Sequence, residues 1–191
     1  MSWPFEPLRP LSYDLAVIDF PWLFALRSKK GEAKSAQAHY RCMTDEEIAA
    51  LPVQDLFTAN GLGIFWCTAP MFHRQMDIII RRFGMRYVTM GVWVKTTKRG
   101  HVNMGTGYRL RGSFEPFIVA TLGRPPQGAK DIKSVLHAQL RRHSEKPDEI
   151  YNIAERMHPL AKRRADVFSR TDRDGWEAFG DEAGKFGKAA A

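Results

Sequence analysis

This chain of 191 residues contains only two cysteines, Cys42 and Cys67, and they lie far apart without C-x-x-C spacing. The sequence therefore predicts neither a disulfide framework nor a zinc site, and we expect no metal cofactor. No apolar run approaches the length that crosses a membrane, and the N-terminus, with Pro4, Glu6 and Pro7, lacks the basic-then-apolar form of a signal peptide. These absences predict a cytoplasmic protein with no membrane-spanning segment.

The chain also lacks internal repeats and any break in composition that would mark a second domain. Its length and its hydrophobic fraction of 44% suit one domain with a sizeable core. We predict a single domain over residues 1–184 and a disordered tail over residues 185–191.

Acidic residues are in the minority, since 21 aspartates and glutamates oppose 29 lysines and arginines, giving a formal net charge of +8. A basic chain favours a polyanionic partner, and without a basic amphipathic helix we expect nucleic acid rather than a membrane. Two basic stretches, 23–42 and 96–113, predict loops that contact phosphates and an unstacked strand, although exposed connections without function are the alternative. The candidate substrate-binding residues of these loops are Lys29, Lys30, Lys98, Arg99, Tyr108 and Arg111.

The hydrophobic pattern predicts an α/β protein. Apolar runs bounded by turn residues predict strands over 14–18, 61–67, 87–94, 115–122, 132–136 and 165–168. A capping box at Thr44 predicts a short helix to Leu51, and amphipathic segments predict helices over 71–83 and 147–157.

An acid, a proline and an indole follow the first apolar run, in the turn Asp19-Phe20-Pro21-Trp22. Because open α/β sheets bind ligands at the carboxyl ends of their strands, such a turn favours a functional site. The alternative is that Asp19 caps the next segment while Trp22 is half-buried in a loop. Pro21 keeps Phe20 extended and so fixes the direction of its carbonyl group.

The turn suits chemistry at the exocyclic amine of a base. The amine lone pair is delocalised into the ring, so two acceptors for the amine hydrogens would localise it. Asp19 can supply a carboxylate and Phe20 a backbone carbonyl, while Trp22 can supply an aromatic face that holds the base flat.

Several motifs carry a resemblance to a known family. The turn resembles D-P-P-W, residues 143–151 resemble H-S-x-K-P-D-E-I-Y, residues 166–170 resemble E-L-F-A-R, and residues 175–182 resemble G-W-x-x-x-G-N-E. In this order and over residues 13–182, they resemble the MT-A70 family of adenine-N6 methyltransferases, which use S-adenosyl-L-methionine.

The resemblance implies a Rossmann-like methyltransferase sheet with helices on both faces and a permuted motif order, with the catalytic turn N-terminal and the ribose-binding strand C-terminal. It places Lys146 on the cofactor carboxylate, Asp166 and Arg170 at the ribose, and Asp181 and Glu182 in the rest of that pocket. Tyr40 would belong to a gating loop and Lys95 to the W-V-K end of a strand.

Three positions depart from the family pattern: Phe20 replaces proline, Asp166 replaces glutamate and Asp181 replaces asparagine. The family's second turn residue is thought to act through its carbonyl, so Phe20→Pro should preserve or raise activity.

The resulting hypothesis is methyl transfer to the N6 amine of adenine in nucleic acid. DNA is favoured over RNA because the sequence shows no separate RNA-binding module. A non-catalytic nucleic-acid-binding paralogue and a methyltransferase of protein amides remain alternatives, and the oligomeric state stays open.

Overall fold

The computed structural model describes residues 2–23, 41–107, 109–142, 145–185 and 187. Seven strands form one sheet in the order β5-β3-β4-β2-β1-β6-β7. The strands are β1 (Tyr13–Ile18), β2 (Phe57–Trp66), β3 (Arg86–Thr96), β4 (Phe114–Leu122), β5 (Val135–Gln139), β6 (Arg164–Val167) and β7 (Glu177–Phe179). β4 runs antiparallel to its neighbours β2 and β3, while the other pairs are parallel.

Helices cover both faces of the sheet. Helix α1 (Asp45–Ala49) begins with the predicted capping box at Thr44, and α2 (Phe72–Asp77) continues as a π-helical turn over Ile78–Arg82. These helices pack with the phenyl ring of Phe65 in one hydrophobic cluster, whereas α3 (Glu149–Met157) packs with Trp66 in a second cluster. The predicted α/β, Rossmann-like fold is confirmed.

The continuous apolar run of β1 follows from its central position. β1 pairs with β2 on one side and β6 on the other, and its residues Leu15 to Ile18 are all buried. Alternate side chains enter the two clusters, with Val17 in the α3 cluster and Ile18 in the opposite one. A strand covered on both faces must be apolar throughout.

The fold differs from the expectation in three strands and one helix. β5 lies three residues later than predicted, because its half-exposed segment gives a weak pattern and pairing with β3 sets its position. β7 was not predicted, since three residues form a strand only by pairing with β6. β3 is largely exposed or half-buried rather than buried, and the second helix ends in π geometry.

The topology gathers several chain segments at one end of the strands, which we call the carboxyl edge of the sheet. The carboxyl ends of the parallel strands β1, β6 and β7 meet there, and the reversed β4 brings its amino end to the same edge.

Among the described residues, no helix is long and apolar enough to span a bilayer. The predicted domain bounds stay a prediction.

Candidate active site at the carboxyl edge of the sheet

A line of alternating charges crosses the carboxyl edge. Asp19 follows β1 directly, and its Oδ2 accepts a hydrogen bond from Lys146 Nζ at 2.7 Å. The same ammonium lies 3.4 Å from Glu115 Oε2 at the start of β4, and Lys95 at the end of β3 donates to the other Glu115 oxygen at 2.5 Å. Two carboxylates and two ammonium groups from four distant segments therefore form one network.

The network controls the protonation of its carboxyl groups. Burial raises the pKa of Asp19, and the ammonium group of Lys146 opposes this rise. Burial also acts to raise the pKa of Glu115, but Lys146 and Lys95 outweigh it and hold that pKa below its usual value. Lys146 thus favours an ionised Asp19 in a place where burial alone would favour its neutral form.

Asp166, on the neighbouring strand β6, is a second buried carboxyl group. Its Oδ2 accepts hydrogen bonds from Tyr151 Oη at 2.8 Å and from Ser169 Oγ at 2.7 Å. Burial raises the pKa of Asp166 to about 6, although both hydroxyl donors act to lower it. These contacts occupy the side chain that the resemblance assigns to the cofactor ribose, so that role stays a prediction.

A cavity of about 230 Å³ opens beside Asp19. The ion pair between Arg170 Nε and Glu182 Oε2, at 3.0 Å, forms part of its wall. Phe168 also lines the cavity, and its left-handed φ of 62° is a strained conformation of the kind often found at functional sites. The predicted residues on its lining are Asp19, Pro21, Arg170, Asp181 and Glu182.

A narrower pocket of about 30 Å³ adjoins this cavity and shares Asp19, Phe168 and Arg170 with it. Lys146 and Asp166 line the narrow pocket. The structure therefore brings the predicted catalytic carboxylate and all five predicted cofactor-binding residues into two connected spaces.

The aromatic residues of the turn occupy a different place from the one predicted. The rings of Phe20 and Trp22 are 3% and 4% exposed, and both belong to the hydrophobic cluster that packs under α1 and α2. Phe20 contacts the rings of Phe65, Phe83 and Phe168, with centroids 5.5–6.5 Å apart. Neither ring offers an open face to a base, which corrects the expectation for Trp22.

The backbone of the turn is also engaged. The carbonyl of Phe20 accepts the N–H of Trp22 at 2.8 Å, and the carbonyl of Pro21 accepts the N–H of Met43 at 2.8 Å. A carbonyl oxygen has two lone pairs, so the Phe20 carbonyl retains the capacity for a second donor. Its predicted role toward an amine is compatible with this geometry.

Sequence reasoning did not assign the residues that hold the site together. Tyr151 and Ser169 fix Asp166, and the guanidinium of Arg173 lies 3.7 Å from the centroid of the Tyr151 ring while donating to Asp148 at 2.5 Å. Glu115 begins a predicted strand and ends a stretch, Gly107 to Glu115, that resembles the family pattern, but the sequence assigns it no role in the site. Ser169 lies only three residues from Asp166, whereas Tyr151, Arg173 and Glu115 reach their partners through tertiary folding that no local pattern reveals.

The predicted substrate-binding residues divide into three groups. Lys95 belongs to the ion-pair network rather than to an open surface. Lys98, Arg99 and Arg111 are exposed in the loop between β3 and β4. Four others lie outside the described residues and stay predictions: Lys29, Lys30, Tyr40 and Tyr108.

Comparison with known proteins finds relatives of this chain that are named as methyltransferases. A family model described as MT-A70 matches residues 13–182. A putative N(6)-adenosine-methyltransferase MT-A70-like protein of Medicago truncatula is 31% identical over 150 residues, covering 75% of this chain and 24% of that protein. The N6-methyladenosine RNA methyltransferase MTA1 of Pyricularia oryzae is 26% identical over 187 residues, covering 90% of this chain and 47% of that protein.

The catalytic subunit METTL3 of the human N(6)-adenosine-methyltransferase is 28% identical over 151 residues, covering 75% of this chain and 25% of that protein. The chain thus spans between about a quarter and a half of the length of these relatives. Their names give no support to the expected preference for DNA.

Proposed function

This chain belongs to the MT-A70 family, and from this premise we propose that it transfers a methyl group from S-adenosyl-L-methionine to the N6 amine of adenine in RNA. The observation that carries the proposal is the position of Asp19. Its carboxylate lies at the carboxyl edge, lines the cavity and is hydrogen-bonded to Lys146.

The residues around the two pockets suit the proposed cofactor. The cavity has acidic groups at Asp181 and Glu182 that can accept hydrogen bonds from amine or hydroxyl donors, and Phe168 and Phe179 offer apolar walls for a purine. Lys146 offers a cation to a carboxylate, within the network that it already forms. The cavity volume of about 230 Å³ is below that of most ligand sites, which hold roughly 300–1,000 Å³, so we expect the cofactor to occupy the narrow pocket as well.

The proposed cofactor supplies a methyl group already activated on a sulfonium centre. The chain then has to position the acceptor amine and to stabilise the charge that develops on it. The Asp19 carboxylate accepts one amine hydrogen and thereby localises the lone pair, while Lys146 favours the ionised form of that carboxylate. The carbonyl of Phe20 is the proposed second acceptor.

Loss of the amine proton completes the reaction. When the methyl group has moved, the nitrogen carries a positive charge and releases a proton to restore a neutral N6-methyl amine. We propose that Asp19 takes up this proton, because burial raises its pKa and a higher pKa makes the carboxylate a stronger base.

RNA is the proposed acceptor for two reasons. The Pyricularia relative is named an RNA methyltransferase, and the Medicago and human relatives are named for adenosine. The exposed basic residues Lys98, Arg99 and Arg111 supply phosphate contacts that do not depend on a duplex.

The test is a methyl-transfer assay with labelled cofactor and separate pools of RNA, single-stranded DNA and duplex DNA, followed by digestion to nucleosides. We expect label in N6-methyladenosine from RNA. Asp19→Asn should remove the label, whereas Asp131→Asn, which changes an exposed carboxylate that pairs with Arg156, should not. Label confined to DNA would overturn the acceptor, and absence of label with all three pools would overturn the activity.

A further inference from the structure

The loop between β3 and β4, residues 97–113, carries exposed apolar side chains that the site does not use. Leu110 is 86% exposed, Met104 is 74% exposed and Val102 is 57% exposed. Exposed apolar groups in one short segment indicate an interaction surface when the segment is held in a defined shape.

The backbone of this loop has such a shape. Thr96 and Val102 form an antiparallel bridge, and the N–H of Thr97 donates to the carbonyl of His101 at 2.8 Å. Further along, the N–H of Gly105 donates to the carbonyl of Gly112 at 2.9 Å and closes a second hairpin. Leu110 lies between the two paired glycines of that second hairpin.

Glycine is required for the tightness of the second hairpin. A Cβ atom at Gly107 would lie 1.9 Å from the carbonyl oxygen of Leu110, and one at Gly105 would lie 2.4 Å from the carbonyl oxygen of Gly112. The backbone thus folds back closely enough to exclude side chains from its interior. The side chain of Leu110 is therefore presented to solvent by a compact hairpin.

The charge of the loop identifies the kind of partner. Residues 97–113 contain four lysines or arginines and no acidic residue. Arg109 and Arg111 flank Leu110, and both are exposed. A second copy that docked through the same loop would meet this surface with like charges, which is unfavourable, whereas a polyanion is complementary to it.

The loop is also joined directly to the active site. The N–H of Lys95 donates to the carbonyl of Ser113 at 2.9 Å, so the base of the loop is closed between β3 and β4. Lys95 and Glu115, one on each side of that closure, are both members of the ion-pair network that contains Asp19. A nucleic acid that contacts the loop therefore approaches the same edge that holds the catalytic carboxylate.

We propose that Leu110 is an apolar wedge that enters the base stack beside the target adenine, while Arg109 and Arg111 contact the flanking phosphates. An adenine must leave its stack before its amine can reach a buried carboxylate, and apolar side chains inserted between bases are a known physical means of unstacking them. The inference rests on the proposed function, because it assigns the loop a role in delivering the acceptor base.

The experiment uses an oligoadenylate RNA with one central 2-aminopurine, whose fluorescence rises when the base is unstacked. No cofactor is added. At saturating protein we expect the parent chain to raise the fluorescence, Leu110→Ser to lose more than about half of that rise, and Leu110→Phe to preserve it. Arg109→Gln combined with Arg111→Gln should weaken binding and flatten its dependence on salt, since each phosphate contact releases counterions.

Leu160→Ser is the matched control. Leu160 is 69% exposed, and it lies between α3 and β6 at the opposite edge of the sheet. This variant should bind the RNA and raise the fluorescence like the parent.

Three results would overturn the wedge. The first is equal fluorescence with the parent and Leu110→Ser at saturation, including no rise with either. The second is a parent dimer that Leu110→Ser dissociates in sedimentation analysis without any change in fluorescence. The third is binding to anionic vesicles that depends on Leu110 when the fluorescence does not.

The wedge and the proposed function can fail separately. RNA methylation by a parent whose fluorescence change does not depend on Leu110 would overturn the wedge alone. Unstacking that depends on Leu110, in a chain that transfers no methyl group, would support the wedge and overturn the activity.

Discussion

The turn Asp19–Trp22 has one charged side and one aromatic side, and the two meet very different surroundings. Asp19 faces ammonium and carboxylate groups from three other chain segments at the sheet edge. Phe20 and Trp22, one and three residues later, are buried among aromatic rings of the core. A four-residue motif therefore supplies both a carboxylate to the candidate site and aromatic rings to the core.

Substitutions on the two sides of the turn should therefore change different properties of the protein. In the proposed function the charged side takes part in the reaction through protonation and hydrogen bonding, so its variants should alter rates and pH profiles. The aromatic side contributes apolar burial, so its variants should alter the free energy of unfolding. Substitutions in the turn test whether one side can be changed without the other, and substitutions at the neighbouring carboxylates Asp166 and Glu115 test the electrostatics of the charged side.

The largest effect is expected from Phe20→Ala, on the aromatic side. Removing a fully buried phenyl ring should lower the free energy of unfolding by about 3–5 kcal/mol, whereas Phe20→Leu should lower it by less than about 1.5 kcal/mol. Urea denaturation measures both. Phe20→Pro was expected from the sequence to preserve or raise activity. Because it removes the buried ring, we now expect it to destabilise the fold instead.

Activity decides whether Phe20 acts only through packing. Phe20→Leu should preserve the specific activity of the folded protein. A large loss of rate in Phe20→Leu at unchanged stability would show that the ring acts on the substrate and would break the comparison.

Asp19→Asn is expected to have the next largest effect, on the charged side. An amide cannot accept the amine hydrogen as strongly as a carboxylate, so kcat should fall by about 10²–10³-fold. Cofactor affinity, measured by calorimetry, should stay within a few-fold of the parent, as should the urea midpoint. A variant that unfolds instead would mean that this side also holds the structure together.

Asp166→Asn should have a smaller effect, on stability and its pH dependence. The pKa of Asp166 is raised to about 6 in the fold, so above that pH the protein buries an ionised carboxylate. In the parent this group's contribution to stability therefore decreases as pH rises from about 4 to about 6. Asparagine retains an acceptor for Tyr151 and Ser169 and abolishes this dependence.

The variant should be more stable than the parent by roughly 1–3 kcal/mol at pH 7.5, and the difference should vanish near pH 4. Thermal unfolding over this pH range measures it. A constant difference between the two proteins at all pH values would contradict the raised pKa.

Glu115→Gln should have the smallest effect. Glu115 shares Lys146 with Asp19, and its charge acts to raise the pKa of Asp19. With glutamine there, the pKa of Asp19 should fall and the acid limb of the pH–rate profile should move to lower pH. Asp131→Asn changes an exposed carboxylate outside this network and outside both pockets, so its profile should match that of the parent.

The sequence predicts those parts of the molecule in which local pattern and environment agree. β1, β2 and β4 are buried and apolar, so their runs identify them, and the capping box at Thr44 locates α1. β7 and the position of β5 depend on pairing partners far along the chain, so no local signal reveals them.

The site shows the same division. The motifs identify Asp19, Lys146 and the residues around Arg170 as a group, and the structure gathers them around two connected pockets. The sharing of Lys146 between two carboxylates, and the burial of the Trp22 ring, depend on tertiary packing. Sequence spacing contains no information about either.

The reversed direction of β4 has a consequence for how new acceptor specificities could be built. The 97–113 loop is inserted between two adjacent antiparallel strands, and its ends are closed by the hydrogen bond from Lys95 to Ser113. The cavity lining comes from other segments, around β1, β6 and β7. A segment of different length or composition can therefore be grafted between the same two strands, leaving the cavity residues untouched. If the proposed function holds, we expect chimeras of this kind to change the binding of nucleic acid without changing the binding of the cofactor.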